Sequence, residues 1–251
     1  VLWLGSLGGD VRFAFTTRLG GFSAAPYDSL NLSFNVGDDP TTVGRNRGDL
    51  LARLRIPQAS WLQAQHGAVV HVVDAEGAPG GGAAEGAPGG TGREHDGDGL
   101  VTAARDLALG ALSADCALVA LADPTTGVVG ALHCGRPGLT AGAVEAMVAT
   151  MRANGAQTIR AAVGPTICGS CYEVPADMAA AVVAVVPAAL SRARGGGAGL
   201  DVRAGVIDQL RRAGVQVVRL VGGCTREDPT TFSYRRDKVT GRMAALIWRS
   251  T

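Results

Sequence analysis

An excess of either charge is what the chain most lacks: 23 Lys+Arg stand against 22 Asp+Glu, for a net charge of +1. That balance leaves no global field to draw a nucleic acid or an anionic membrane, so neither is an expected partner and any anion must be caught locally. Aromatic residues are scarce at 4%, and with 37 glycines many of the apolar positions carry little side chain to bury, which predicts a compact, tightly turned fold. Long hydrophobic runs are missing too. Met178 to Leu190 is interrupted by Pro187 and falls short of the roughly 20 residues that a membrane span needs, so it reads as a buried helix. Val1 to Asp10 shows no basic stretch followed by an apolar core, so export is not expected and a cytoplasmic place of action is. Five cysteines, an odd number in a chain that needs no stapling, point to reduced thiols used for chemistry.

The 251 residues can bury a substantial core, and no shift in composition marks a boundary, so one domain over residues 1–251 is expected. A strand over Val11–Thr16 leads into Arg18-Leu-Gly-Gly-Phe-Ser23, a loop whose paired glycines permit backbone angles that suit close approach to a ligand. Asp39-Pro40 reads as an N-cap with proline in the first turn, opening a helix through about Leu54 that carries Asn46 and Arg47. After a strand over Ala68–Val73, residues 77–93 are nearly all Gly, Ala and Pro with no periodicity, which predicts a flexible surface insertion. Apolar runs at 107–112, 117–122 and 128–132 predict strands, the last two forming a hairpin across the turn word Asp123-Pro-Thr-Thr-Gly127. Helices are predicted over 139–153, 174–186 and 201–213, and strands over 158–163, 215–220 and 243–248. Interleaved helices and strands together with a hairpin predict an α/β class with mixed sheet.

If the hairpin loop is Pro124 to Gly127, Asp123 faces Val128 and paired positions sum to 251, so that Leu118 faces His133 and Cys116 faces Gly135. Cys116 and His133 then point to one face as diagonal neighbours, whereas a loop one residue longer or shorter puts them on opposite faces. His66, in Gln65-His66-Gly67 before another strand, could complete a set of three. Two imidazoles and a thiolate suit zinc, and three protein ligands leave the fourth tetrahedral position open, as catalytic sites do. Spacing alone nevertheless favours Cys116 as a small buried residue and His133 as a satisfied strand end, because these residues form no compact CxxC or HExxH word.

Other words in the chain weigh against that blander interpretation. Thr17-Arg-Leu-Gly-Gly-Phe-Ser23, Pro26-Tyr-Asp-Ser-Leu-Asn-Leu32, Val36-Gly-Asp-Asp-Pro40, Asn46-Arg47, Gln65-His-Gly67, Ala114-Asp-Cys116, Gly164-Pro165, Tyr172-Glu-Val174, Cys224-Thr225, Phe232-Ser-Tyr-Arg-Arg-Asp237 and Thr240-Gly-Arg-Met243 follow one another in order. Together they resemble the YfiH-like laccase-domain or polyphenol oxidase family, also called the peptidoglycan editing factor family, over nearly the whole chain. The resemblance implies a four-layer α/β/β/α sandwich with mixed sheets. It implies His66, Cys116 and His133 as the metal ligands and catalytic centre, with Zn2+ as the cofactor and copper as a substitute. It also implies phosphorolysis of purine nucleosides (adenosine, inosine, methylthioadenosine), with adenosine deaminase activity at the same site. The chain departs from the family's HAGWRG word, reading His133-Cys-Gly-Arg136-Pro137-Gly138, so substrate preference is open there.

Phosphate entering a protein of nearly neutral charge needs a positioned guanidinium, and Arg47 and Arg18 are the candidates. Tyr172 and Phe232 are candidate substrate contacts, an aromatic ring being able to stack on a purine. Asp115 and Glu173 are candidate proton donors or acceptors. Cys168-Gly-Ser-Cys171 has CxxC spacing but no second CxxC to complete a zinc site, and is read as a loop lining the pocket. His71 and His95 read as incidental, and Arg235 to Lys238 as a solvated charge run. Three other functions compete: a copper polyphenol oxidase, a metal-free cysteine hydrolase built on Cys116 and His133, and a peptidoglycan editing factor. Coupled copper sites need many imidazoles, however, and the chain has four histidines.

Overall fold

A computed structural model of the protein describes residues 2–74 and 92–250. Most of the predicted insertion therefore lies outside the described residues. Arg93, its last residue, instead opens a strand.

The N-terminal half contributes β1 (Leu2–Gly8), β2 (Val11–Thr16), α1 (Pro40–Leu54), β3 (Gln58–Gln63), β4 (Val70–Val72), β5 (Arg93–Asp96), β6 (Gly99–Thr102) and β7 (Leu107–Ser113). The chain continues through β8 (Ala117–Asp123), β9 (Val128–Cys134), α2 (Arg136–Thr140), α3 (Ala143–Ala153), β10 (Arg160–Val163) and α4 (Ala176–Val185). It ends with β11 (Leu190–Arg192), β12 (Ala198–Leu200), α5 (Val202–Arg212), β13 (Val217–Leu220), α6 (Tyr234–Asp237) and β14 (Met243–Arg249). The helix predicted over 139–153 is two helices, because Gly142 at φ 81° takes a left-handed conformation between them. The Asp39 cap is as expected: its carboxylate accepts from Thr42 N at 2.8 Å, with Pro40 in the first turn.

Two six-stranded mixed sheets run in the orders β1-β2-β14-β7-β3-β5 and β13-β10-β8-β9-β6-β4. Strand alternation divides the side chains among the layers. Phe13, Phe15, Leu109 and Ile247 of the first sheet meet Leu118, Ala120, Val129 and Ala131 of the second between the sheets. On the outer face of the second sheet, Val119, Leu121 and Leu132 pack against Val144, Met147 and Met151 of α3 and Val206 and Leu210 of α5. On the outer face of the first, Ala14, Leu246 and Trp248 pack against Leu50 and Leu51 of α1. The result is the α/β/β/α order. A fully buried Leu or Phe contributes about 1.5–3 kcal/mol, and both the inter-sheet layer and the helix-covered face of the second sheet hold such residues.

The glycine and alanine content serves this close layering. A Cβ on Gly110 would run into the Trp61 ring, and one on Gly130 would run into the Met147 methyl. Strands β7, β8 and β9 are accordingly buried along their whole lengths. Among the described residues no helix is long and apolar enough to cross a membrane.

Candidate metal centre

The β8–β9 turn sets the site. Asp123, fully buried, accepts Thr125 N and Thr126 N on one oxygen and Gln157 N and Thr158 N on the other. Burial pushes its carboxyl up, but these four N–H donors outweigh that and hold it below the usual carboxylate range. Gly127, at φ 78°, closes the turn by donating to Asp123 O at 2.9 Å. The loop is thus four residues long, and Leu118 pairs with His133 and Ala117 with Cys134, as the sum of 251 requires. By alternation His133 shares the inter-sheet face of Val129 and Ala131, and Cys116 comes to that face from just before β8. Cys134 points the other way, into the helix-side core, where burial raises its thiol.

The third candidate ligand arrives through a strained loop. His66, exposed and at φ 60°, sits between β3 and β4, and its N–H donates to Asp98 Oδ1 at 2.9 Å while Gly67 N donates to Oδ2 at 2.7 Å. The same carboxylate meets His133 Nδ1 at 3.0 Å. Asp98 therefore orients one imidazole directly and the other through its backbone, leaving Nε2 of His133 for a metal. Burial acts to raise the Asp98 carboxyl, and the bond from His133 with those from Gly67 and His66 overcomes it, so the carboxyl lies below its usual range.

The ligand atoms of His66, Cys116 and His133 lie within 4.8 Å of one another, with Cys116 Sγ 3.9 Å from His66 Nε2. Burial alone would raise the Cys116 thiol, but His133 and His66 bring it down to about 6. Burial alone would lower His133, but Cys116 and Asp98 raise it to about 9. Without a metal the pair therefore rests as a Cys116 thiolate beside a protonated His133, which would have to release its Nε2 proton to serve as a ligand. Gly135 stays bare beside it, since a Cβ there would lie 2.9 Å from the His66 ring and 3.0 Å from Cys116 Sγ.

Sequence reasoning missed Asp98. It lies one residue before β6, whose pairing of Gly99 with Leu132 sets Asp98 opposite His133, and the search for a carboxylate behind each metal-binding imidazole would have reached it. Asp98→Asn is expected to lower metal affinity about 10–100-fold with the fold retained. Competition with a chromophoric chelator measures this, and wild-type affinity in the variant would remove the orienting role.

A cavity of about 730 Å³ is lined by His66, Cys116 and His133. Tyr172 lines it, together with Tyr234, Arg136, Arg235, Lys238 and Arg242. The other substrate candidates are elsewhere. Arg47 is fully buried, bonded to Glu94 Oε1 at 2.7 Å and Leu32 O at 2.7 Å, with the rings of Phe34 and Trp61 each 4.4 Å from its guanidinium carbon. Its charge is thus committed behind the cavity wall, on which Glu94 lies. Arg18 pairs with Asp28 at 2.9 Å and lies over the Phe232 ring, and Phe232 is itself buried beneath Ala114 and Met243. Neither Arg18 nor Phe232 lines the cavity.

Asn46 bonds Phe22 N, Ser23 Oγ, Ser29 O and Asn31 O, so it holds the glycine loop in place. Asp115, at φ 103°, lines the cavity but accepts Thr225 Oγ1 at 2.6 Å and Arg235 N at 2.7 Å, which makes it a tie between segments. Glu173 lines a different cavity, together with Cys171 and Glu227. Cys168 and Cys171 do not line the main cavity either. Their neighbours Ile167 and Tyr172 do.

The family model described as multi-copper polyphenol oxidoreductase laccase matches residues 12–250. A protein of Streptomyces griseus named purine nucleoside phosphorylase ORF3 is 48% identical over 244 residues, covering 96% of this chain and 95% of that one. Among solved structures, the Neisseria meningitidis protein NMB0706 superposes with a TM-score of 0.83 at 33% identity, covering 100% and 99% of the two chains. The Bacillus licheniformis hypothetical protein YfiH superposes with a TM-score of 0.84 at 28% identity, covering 96% and 93%.

Proposed function

The chain belongs to the multi-copper polyphenol oxidoreductase laccase family, and on that premise we propose that it is a zinc-dependent purine nucleoside phosphorylase of the cytoplasm. The observation that carries the reading is a cluster of two imidazoles and a thiolate, a cradle that could hold a metal, lining one cavity together with arginines and tyrosines. Relatives named purine nucleoside phosphorylase support the substrate class. The donors fit zinc, and Gly135 keeps the space among them clear. When bound, zinc supplies a Lewis-acid charge at an open coordination position.

The remaining work falls to the chain's own residues. Arg242 donates through Nη1 to Thr240 O and Gly241 O, which aims its guanidinium without neutralising it, and among the described residues it forms no ion pair. We assign it, with Arg136 and Lys238, to the phosphate dianion in place of Arg47 and Arg18. Arg235 lies over the Tyr172 ring at 4.9 Å and bonds Glu173 O, so it steadies a ring suited to the purine face. Phosphorolysis transfers the ribosyl carbon from the base nitrogen to a phosphate oxygen, so binding both partners at once in one cavity is the main contribution the fold can make. Adenosine, inosine and methylthioadenosine are the proposed substrates, with adenosine deamination as a second activity of the cavity.

Zinc-loaded protein is expected to convert inosine to hypoxanthine and ribose 1-phosphate at a rate that rises saturably with phosphate and is nil without it. Base release followed by chromatography checks this. Fully loaded protein that releases no base from any purine nucleoside would falsify the reading.

The approach of Cys116 to His66 supports a second reading, a cysteine hydrolase. Activity that survives chelator would favour it. A multicopper oxidase is less well served, because the four histidines separate into His66 with His133 and His71 with His95. Single-copper phenol oxidation at the cradle remains a substitute chemistry.

A further inference from the structure

We propose that Cys168, Cys171, Cys224 and Glu227 form a second metal site, a closed zinc site with three thiolates and one carboxylate, separate from the His66–Cys116–His133 cradle. The ligand atoms of these four residues all lie within 4.8 Å of one another. They come from two short turns of the same build. Cys171 N donates to Cys168 O at 3.0 Å, and Glu227 N donates to Cys224 O at 3.2 Å, so each turn sets its two ligands three residues apart. The partner that the CxxC word lacked is therefore a CxxE word, Cys224-Thr-Arg-Glu227.

The groups already lean on one another. Cys168 N donates to Cys224 Sγ at 3.3 Å, and Cys171 Sγ to Glu227 Oε1 at 3.3 Å, while Cys168 Sγ lies 3.1 Å from Ser170 Oγ. All three cysteines are free thiols. Tetrahedral zinc at about 2.3 Å from sulfur sets neighbouring ligand atoms about 3.8 Å apart, so side-chain shifts of about 1 Å close the cluster. Four protein ligands, against three at the cradle, mark a structural site. Arg194 now pairs with Glu227 and is exposed, so it can yield its place to a cation.

The position gives the site a task. Thr225, next to Cys224, holds Asp115 Oδ1 at 2.6 Å, and Thr166 N donates to Gly223 O at 3.2 Å. Ile167 N donates to Asp115 O at 3.0 Å, and Ile167 and Tyr172 line the main cavity. Zinc at this cluster staples together the two loops that hold the residue preceding Cys116.

The test uses the full chain, kept reduced, stripped of metal and reloaded with zinc or cobalt. Wild type is expected to hold two equivalents. His66→Ala is expected to hold one, and in that variant bound cobalt shows thiolate charge-transfer absorption. Cys224→Ser should lose the second equivalent. Glu227→Gln, a milder change, should weaken that equivalent at least tenfold and guards against misfolding of the cysteine variant. In the His66→Ala chain, zinc should also slow modification of three thiols by a disulfide reagent.

His66→Ala protein that binds neither zinc nor cobalt overturns the proposal and leaves the cradle standing. Unchanged binding in both Cys224→Ser and Glu227→Gln overturns it as well. A wild type with one equivalent that persists in His66→Ala would instead count against the cradle, so the two readings fail separately.

Discussion

His66→Ala protein reloaded with zinc is expected to hold one zinc fewer per chain than the wild type and to release no base from inosine above background. Two donors remain, and the pair left behind cannot fix a tetrahedral ion as three do. The loss should exceed the about 10–100-fold expected of Asp98→Asn, because a ligand is removed and not merely left unoriented. His66 is the informative position, since its side chain is exposed, whereas removing buried His133 also strips Asp98 of its partner. Cys116→Ser should share the phenotype, and chelator should reproduce it in the wild type. Metal analysis beside the base-release assay reads both effects. Full zinc content in His66→Ala, or activity without metal, would sink the cradle as the catalytic centre.

Arg47→Ala is expected to unfold far more readily than the wild type, whereas Arg242→Ala should unfold at nearly the same temperature and lose its grip on phosphate. Removing Arg47 leaves Glu94 without its ion-pair partner and Leu32 O without a donor, and opens a void between Phe34 and Trp61. Breaking such a buried pair costs about 3–5 kcal/mol. For a chain of this size that lowers the midpoint by roughly 6–20 °C. Arg242 has its Nη1 on two carbonyls of its own loop, so its loss should appear instead as a raised KM for phosphate. Thermal unfolding and a phosphate titration on both variants decide the matter. An Arg47→Ala chain of wild-type stability that no longer responds to phosphate would restore Arg47 to the site and remove Arg242.

The two arginines illustrate why substrate residues were harder to read than ligands. A guanidinium bound to phosphate and one bound to a carboxylate of the protein look alike in sequence, and only the pairing with Glu94, which lines the cavity and holds Arg47 behind its wall, separates them. Phe232 and Tyr234 pose the same ambiguity two residues apart. One ring is buried under Ala114, and the other lines the cavity. The turn after Ser233, whose side chain accepts Arg236 N, turns the chain between them.

What the sequence determined by itself was local: the Asp39 cap, the four-residue turn at Asp123 and, through the period of two along a strand, the shared face of Cys116 and His133. Such features depend on neighbours a few residues apart, whose backbone chemistry is written in the residue types. The tertiary structure alone decided which distant groups meet. Asp98 reaches His133 across a strand pairing, Glu94 takes Arg47 from the helix, and Cys224 with Glu227 faces Cys168 with Cys171 from a loop more than 50 residues on. Those encounters follow from how two sheets and their helices close over one core, and the packing of that whole surface has no local signature in the chain.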